Sequence, residues 1–253
     1  MEVALLGDSF AHGNCVPQGD DLASRLGASS TVLNLGMGGN GPMLMLAGLS
    51  EFLSEIRPPV VLWLYYEGND LYNLRAEGKN RILRRYLEDP VFRQGLARQQ
   101  TAIAKLTELR RRLSLLGAGG VQEVERSHRQ ARAEAQRLAL FAEILEEARD
   151  RVAAWGGELE LVYLPAWHRY HSGFERFGDR WDGPFRHDVL AITDGLDIPI
   201  IDLHHTFATS PDRSNLFGLG PHYPAHYSPA GYRVAAQAIA AALADGRPAG
   251  VRR

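Results

Sequence analysis

The sequence predicts an α/β fold, a three-layer α/β/α sandwich around a mainly parallel sheet. Five short apolar runs recur along the chain, and helical or Gly-rich segments separate them. Such alternation is typical of parallel strands joined by helical crossovers. Each of the first three runs also ends at a Gly-containing turn with polar residues. A buried parallel strand delivers its loop in this way to the carboxyl edge of the sheet.

The five strand candidates are mostly apolar along their length, as expected where helices cover both faces of a sheet. We place them at residues 3–6, 31–35, 59–66, 158–164 and 198–203. Ligands of such sheets lie outside the carboxyl ends of the strands. We therefore expect functional side chains in the turns that follow the first three strands.

The middle of the chain is predicted to be helical. Apolar residues fall at helix spacing in two stretches, which the Gly-rich residues 117–120 separate. The stretches contain Ile103, Leu106, Leu109, Leu113 and Leu116, then Leu138, Phe141, Leu145, Ala148 and Val152. We interpret residues 73–130 as a helical hairpin or lid, inserted after the third strand of a single domain that covers residues 1–253.

Composition favours a soluble globular chain with a sizeable core, since 45% of its 253 residues are apolar and 23% are charged. No apolar run is long enough to cross a bilayer, so we expect no transmembrane segment. We expect a hydrophobic strand from Val3, and therefore expect no signal peptide in this sequence. We therefore expect a cytoplasmic protein if Met1 is the native start, and the location is otherwise unknown. The single Cys15 excludes an internal disulfide.

Charge is distributed unevenly. Residues 75–151 hold 17 Lys and Arg against 11 Asp and Glu, whereas the remainder holds 11 against 19. We expect this excess to form the solvated faces of helices. The alternative is that the basic helical insert binds an anionic partner, such as an acidic glycan, a carrier protein or a membrane surface. A nucleic-acid partner is not expected, because the pI is about 6.5 and no matching motif is present.

Four short runs carry the polar residues of a candidate site. They are Gly7-Asp8-Ser9, the segment from Asn34 to Gly39, Gly68-Asn69-Asp70, and the segment from His226 to Tyr232. Each run has an ordinary structural explanation when it is taken alone. Asn69 could cap a helix, and the glycines could cradle a phosphate, although no Lys-Ser/Thr follows them. Ser228 and Pro229 are typical of a helix start, so we expect the last helix to begin directly after His226.

Taken together, the four runs resemble the signature blocks of the SGNH/GDSL hydrolase superfamily, which contribute Ser, Gly, Asn and His. The blocks span nearly the whole chain and leave only the middle segment unmatched. The resemblance implies a five-stranded, flavodoxin-like sheet. It also implies that Ser9 is the nucleophile and His226 the base, with His222 as the alternative base. The oxyanion donors would be Asn69 and Gly39, with Gly38 as the alternative glycine.

One position departs from the family pattern. The superfamily commonly has Asp three residues before the catalytic His, and this chain has Tyr223 there. Either Asp212 or Asp202 orients His226, or a backbone carbonyl does so in a Ser-His dyad. We expect Asp8 and Asp70 to brace loops through backbone hydrogen bonds rather than to transfer protons.

These residues suit a serine esterase, because a serine hydroxyl needs a base within hydrogen-bond reach and a His can titrate near neutrality. We expect removal of a small acyl group from a carbohydrate or another oxygen ester. The alternatives are an acyltransferase that uses the same Ser9 and His226, and a binding protein that retains only the fold. We expect no cofactor and no metal, since the histidines lack a recognisable ligand set at strand ends. Those weighed as ligands are His168, His171, His204, His205, His222 and His226.

Overall fold

The computed structural model describes residues 2–28, 30–96, 126–170, 185–218 and 226–244. Five strands form one sheet in which every pair of neighbours is parallel. Their bounds are β1 (Val3–Leu6), β2 (Val32–Asn34), β3 (Val60–Tyr66), β4 (Glu158–Leu164) and β5 (Ile200–Asp202). The order across the sheet is β2-β1-β3-β4-β5, the flavodoxin-like order. The predicted fold class and all five strand positions are confirmed.

Strand β3 shows why these runs are apolar throughout. Successive side chains of a strand point to opposite faces. Val61, Trp63 and Tyr65 pack in one core layer. Their neighbours Leu62 and Leu64 pack in the other layer. Helices cover both faces, so both sets of side chains are buried and the sequence shows no polar alternation.

Ten α-helical segments lie in the part of the chain that the structure describes. They are α1 (Ser9–His12), α2 (Leu22–Leu26), α3 (Pro42–Gly48), α4 (Ser54–Ile56), α5 (Asp70–Glu77), α6 (Arg81–Glu88), α7 (Arg126–Ala153), α8 (Phe185–Gly195), α9 (Leu203–Ala208) and α10 (Pro229–Ala244). Helices α3 and α5 to α8 contribute to the layer that holds Trp63, and α1, α2, α9 and α10 to the opposite layer. None of the described helices combines the length and apolar character needed to cross a bilayer.

The first part of the predicted insert, residues 73–96, packs onto the core. Residues 73–96 include most of α5 and all of α6, and Leu74, Leu83 and Tyr86 are buried against the layer of α3 and α7. The buried carboxylate of Glu51 accepts hydrogen bonds from the Tyr86 hydroxyl (2.7 Å) and the Leu96 backbone N–H (2.7 Å), which anchors the segment.

The two predicted helical stretches differ in outcome. The second is confirmed, since its apolar residues lie in α7 and four of them are fully buried. These four are Phe141, Leu145, Ala148 and Val152. The first stretch, from Ile103 to Leu116, lies outside the described residues, and the helical hairpin or lid stays a prediction.

Candidate active site

Three of the four sequence runs meet at the carboxyl edge of the sheet. Ser9 follows β1, Gly38 and Gly39 follow β2, and Asn69 follows β3. Strands β2, β1 and β3 are neighbours, so their loops converge at one place. The fourth run reaches the same place from the opposite end of the chain, through the segment before α10.

Ser9 is the first residue of α1 and only 8% exposed. Asp8 caps this short helix, because its Oδ1 accepts the Phe10 backbone N–H at 2.8 Å. The turn into the helix is tight: a Cβ on Gly7 would lie 2.8 Å from Ala11 Cβ. The end of β1 therefore places Ser9 at the carboxyl edge of the sheet.

His226 contacts the candidate nucleophile directly, with its Nε2 2.8 Å from Ser9 Oγ. Backbone hydrogen bonds hold the segment in place: the Gly218 N–H donates to the His226 carbonyl at 2.8 Å, and the Ser228 N–H donates to the Leu216 carbonyl at 2.9 Å. Burial lowers the pKa of His226, and the nearby Asp8 charge opposes this effect. A lowered pKa favours the neutral imidazole at pH 7, which can accept a proton.

The predicted helix start after His226 is confirmed. Helix α10 begins at Pro229, and the Ser228 hydroxyl accepts the Gly231 backbone N–H at 3.1 Å. Gly231 allows a close approach, since a Cβ there would lie 2.0 Å from the Leu216 carbonyl oxygen. Glycine at position 231 thus lets α10 pack against the segment that holds His226.

Asn69 stands at the N-cap position of α5, yet its side chain makes no capping hydrogen bond. Its Nδ2 instead donates to Asp8 Oδ2 at 3.0 Å, and the Ser9 hydroxyl also lies 3.3 Å from Asp8 Oδ2. An amide nitrogen carries two hydrogens, so the second remains for another acceptor. The Asn69 side chain therefore belongs to the Ser9 site rather than to the helix end.

The two acidic neighbours have the bracing contacts expected of them. Burial raises the pKa of Asp8, while hydrogen bonds from the Phe10 N–H and the Asn69 amide lower it. Asp70 Oδ2 accepts the Tyr66 backbone N–H at 3.0 Å. Burial, followed by the charge of Asp8, raises the pKa of Asp70 well above its ordinary value.

The Gly-rich loop is fastened to α1. Asn34 Nδ2 donates to the Ala11 carbonyl at 2.6 Å, and Asn34 Oδ1 accepts the Gly36 N–H at 2.8 Å. Gly38 is buried, and a Cβ on it would lie 3.7 Å from Ser9 Cβ. Gly39 is exposed, with a left-handed φ of 84°.

The peptide that joins Gly38 to Gly39 therefore lies beside Ser9. Within the described residues, neither N–H of these two glycines donates to a backbone carbonyl. Both glycines fit the donor position, with Gly38 in contact distance of Ser9. The assignment of the oxyanion donor to Gly39 stays a prediction.

One face of α5 connects the Asn69 loop to the Gly-rich loop. Asn69, Asn73 and Glu77 are four residues apart and share this face. Asn73 Nδ2 lies 3.5 Å from the Gly39 carbonyl oxygen. The two loops that flank Ser9 are thereby tied to one helix.

Glu77 makes the strongest part of this connection. Its carboxylate accepts the Gly41 N–H at 2.7 Å and the Met43 N–H at 2.9 Å, at the start of α3. A Cβ on Gly41 would lie 2.7 Å from Glu77 Oε2 and 2.8 Å from Asn73 Cβ, so a larger residue would displace this contact. Burial raises the pKa of Glu77 to about 7, against the lowering effect of these backbone N–H groups.

This pKa gives a testable pH dependence of stability. The folded chain retains the Glu77 proton between its ordinary pKa of 4.5 and about 7, whereas the unfolded chain releases it. Unfolding then releases a proton, so stability falls as pH rises through this window, by about 3 kcal/mol in all. We expect Glu77→Gln to remove this component, measured as the difference in urea-unfolding free energy between wild type and variant from pH 4.5 to 8.

The matched control is Glu88→Gln, since the Glu88 side chain is 57% exposed and lies in an ion pair with Arg84. The difference in unfolding free energy between Glu88→Gln and wild type should change little with pH. If the difference in unfolding free energy between Glu77→Gln and wild type is also independent of pH, the backbone N–H groups at the start of α3 hold Glu77 ionised across the range.

The carboxylates considered as partners of His226 have other contacts. Asp202 caps α9 through a 2.9 Å hydrogen bond from the His204 N–H and forms an ion pair with Arg186. Asp212 Oδ2 accepts Asn215 Nδ2 at 2.5 Å. Tyr223 and His222 lie outside the described residues. The atom that the structure places against His226 Nδ1 is Cys15 Sγ, at 3.5 Å.

Sequence reasoning missed both Cys15 and Glu77 as parts of the site. No motif marks either residue, and Cys15 is separated from His226 by 211 positions. The relevant sequence signal was the set of glycines at 38, 39 and 41, which indicates that the loop after β2 packs closely against another part of the fold.

Other candidate regions do not contribute to this site. In the ranges that the structure describes, no three His, Cys, Asp or Glu side chains are grouped so as to hold a metal ion. His204 Nδ1 lies 2.8 Å from the Tyr170 hydroxyl. An open surface depression lined by Glu2, Ser24 and Thr31 lies at the amino end of β1 and β2, opposite to Ser9.

Comparisons with known proteins agree with the fold. No protein-family model and no curated protein sequence matches the chain. Among solved structures it is similar to the acetyl xylan esterase AlAXEase, with a TM-score of 0.57, 13% identity and coverage of 96% of this chain and 100% of that one. It is also similar to the lipase/acylhydrolase from Enterococcus faecalis, with a TM-score of 0.55, 16% identity and coverage of 99% and 100%.

A third similar structure is a lipolytic protein assigned to the G-D-S-L family, from Desulfitobacterium hafniense DCB-2. Its TM-score is 0.53, its identity 14%, and the coverage is 95% of this chain and 98% of that one. Identities this low show a shared fold, and the match extends over nearly the whole of each chain. The chain therefore has the SGNH/GDSL hydrolase fold, and its Ser, Gly and Asn runs meet at the carboxyl edge of the sheet, where His226 joins them.

Proposed function

We propose that this chain is a serine-dependent carboxylic ester hydrolase. The observation that carries the proposal is the 2.8 Å contact between Ser9 Oγ and His226 Nε2. This is the distance at which a neutral imidazole can take the hydroxyl proton. The similarity to an acetyl xylan esterase and a lipase/acylhydrolase supports the same reaction class.

In the first half-reaction, Ser9 Oγ attacks the ester carbonyl carbon while its proton passes to His226 Nε2. The carbonyl oxygen becomes an oxyanion, which would accept hydrogen bonds from the Asn69 amide and from the N–H groups of Ser9 and Gly38 or Gly39. A single donor of this kind lowers the barrier by roughly 3 kcal/mol. The tetrahedral intermediate collapses when His226 returns the proton to the leaving alcohol oxygen.

The second half-reaction releases the acyl group from Ser9. His226 takes a proton from water, and the hydroxide oxygen attacks the acyl carbonyl at the same oxyanion position. His226 then returns that proton to Ser9 Oγ, which regenerates the free enzyme. Neither half-reaction consumes an oxidant, a reductant or a nucleotide.

The hydroxyl of Ser9 has two acceptors, and only one is productive. It can donate to His226 Nε2 at 2.8 Å or to Asp8 Oδ2 at 3.3 Å. The shorter contact favours the productive arrangement. The Asn69 amide hydrogen bond to Asp8 Oδ2 strengthens this preference, because it occupies part of the competing acceptor.

We propose a small acyl group, such as acetyl on a carbohydrate or another oxygen ester, as the substrate class. The acetyl xylan esterase of the same fold supports this choice. In this chain, Phe10 stacks on Tyr66 with ring centroids 3.9 Å apart and lies 5.0 Å from the His226 ring, so an apolar wall borders the dyad.

Purified protein should be tested on p-nitrophenyl acetate, with and without an alcohol acceptor. Release of p-nitrophenol with acetate as the product is the expected result. Faster release with formation of the acceptor's acetate ester would instead identify an acyltransferase. Absence of release on acetyl, butyryl and longer acyl esters would contradict ester chemistry at this site.

A further inference from the structure

We propose that Cys15 is the positioning residue for His226, and that its sulfur occupies the place a carboxylate takes in a Ser-His-Asp triad. The inference deepens the proposed function, on which it rests, by naming the group that orients the base. It concerns Nδ1 of the His226 imidazole. The usual carboxylate partner of this nitrogen is missing, because Tyr223 stands where the superfamily commonly has Asp.

The two nitrogens of His226 face two different side chains. Nε2 lies 2.8 Å from Ser9 Oγ, and Nδ1 lies 3.5 Å from Cys15 Sγ. For Nε2 to accept the Ser9 proton, the ring hydrogen of the neutral imidazole must be on Nδ1. Cysteine sulfur accepts hydrogen bonds, so an Nδ1–H donated to Cys15 selects the productive tautomer. The reverse arrangement, S–H to Nδ1, would put the ring hydrogen on Nε2 and block proton transfer.

Proton transfer then changes the charge at this contact. When Ser9 gives up its proton, His226 becomes an imidazolium with both nitrogens protonated. Sulfur, as an acceptor, stabilises the Nδ1–H of the cation. Cys15 would thus act on the transition state more than on the bound substrate.

Cys15 reaches this position through a strained backbone conformation. Its φ is 72°, a left-handed value that is uncommon outside glycine, and such a backbone conformation is strained. Gly13 at φ 84° ends α1, and the Asn14 N–H donates to the Ser9 carbonyl at 3.0 Å, so the chain turns back over the nucleophile. Strain at a contact with the candidate base is consistent with a positioning role.

The charged group that faces His226 from another direction is Asp8, whose charge raises the pKa of the imidazole while burial lowers it. Asp8 reaches Ser9 and Asn69 rather than Nδ1. Asp202 and Asp212 contact other residues, as described above. Across the described residues, the Nδ1 contact of His226 is therefore with Cys15.

The test compares Cys15→Ala and Cys15→Asp with wild type on p-nitrophenyl acetate across pH. We expect Cys15→Ala to lower kcat about tenfold to a hundredfold with KM nearly unchanged, as for loss of a group that supports a base. Cys15→Asp should recover most of the lost kcat, because a carboxylate accepts the Nδ1–H and Asp tolerates left-handed backbone. The acidic limb of the kcat–pH profile of Cys15→Asp should move to higher pH, because a neighbouring carboxylate raises the pKa of a His.

A second measurement does not require activity. Nitrogen-15 NMR of the imidazole should show the Nδ1–H tautomer of His226 in wild type and in Cys15→Asp, and a mixture of tautomers in Cys15→Ala. Pro17→Ala, at an exposed position in the same loop, is the matched control and should leave rate and tautomer unchanged.

The outcomes separate the two proposals. If wild type and Ser9→Ala are equally inactive, the proposed function fails, and the tautomer measurement still decides the role of Cys15. If wild type is active while Cys15→Ala keeps its kcat, its pH profile and its Nδ1–H tautomer, Cys15 does not position His226. Equal loss in Cys15→Ala and Cys15→Asp, with no shift of the pH profile, would likewise overturn the inference and assign Cys15 a packing role.

Discussion

Replacing Ser9 with Ala is expected to lower kcat on p-nitrophenyl acetate by at least about 1,000-fold, because loss of the nucleophile leaves only binding and oxyanion stabilisation. The fold should be unaffected. Asp8 caps α1 through the Phe10 N–H, which this change leaves in place, and alanine favours a helix. Stopped-flow release of p-nitrophenol, together with an unchanged urea midpoint, would measure both expectations.

The matched control is Ser24→Ala, an exposed serine near the amino end of the sheet whose hydroxyl bonds to Asp21 at 2.6 Å. Its kcat should equal that of wild type. His226→Ala and the double variant should resemble Ser9→Ala, since residues that act as one unit are not additive. Equal rates for wild type and Ser9→Ala would remove Ser9 from the chemistry and leave a binding protein with this fold as the remaining hypothesis.

Replacing Asn69 with Ala is expected to lower kcat about a hundredfold to a thousandfold, with a much smaller change in KM. The reason is that an oxyanion donor acts on the charge that develops in the transition state. The Asn69 side chain makes no helix cap and reaches Asp8 beside Ser9, so its loss should spare the stability of α5. Steady-state kinetics and urea unfolding of the same preparation would separate the two effects.

Two further variants sharpen this expectation. Asn69→Asp keeps the shape but places a carboxylate beside Asp8 and the oxyanion, so its kcat should be lower than that of Asn69→Ala. Asn80→Ala removes a genuine N-cap, since Asn80 Oδ1 accepts the Ile82 and Leu83 N–H groups. It should cost about 1 kcal/mol of stability and leave kcat unchanged. Asn69→Ala with normal kcat and lowered stability would mean that Asn69 is structural.

The elements that the sequence predicted well are those whose signals are local. Strand β3 was recognisable because both of its faces are buried, which makes the run from Val60 to Tyr66 continuously apolar. Helix α10 was recognisable from the Ser228 cap and Pro229. Helix α7 was recognisable from the helical spacing of its apolar residues, which places them on one buried face. Propensity, capping and periodicity of this kind are properties of short segments.

The site was predictable only in part, because its parts lie far apart along the chain. The resemblance assigns Ser9, Asn69 and His226 to one site, and the structure places His226 Nε2 against Ser9 Oγ. It could not distinguish Gly38 from Gly39, since that choice depends on how the loop after β2 turns. Nor could it find the partner of Nδ1, because the expected carboxylate position holds Tyr223 and the contact comes from the other end of the chain.

By itself, then, the sequence determined the α/β class, the order of the strands along the chain, and the Ser, Gly and Asn residues that follow the first three strands at the carboxyl edge of the sheet. Tertiary structure alone decided that Cys15 faces His226 Nδ1 and that Glu77 clamps the Gly-rich loop to α5. Strand and helix signals arise from neighbouring residues. Contacts between side chains depend instead on backbone turns, such as the left-handed Cys15, and on close approaches that glycine permits.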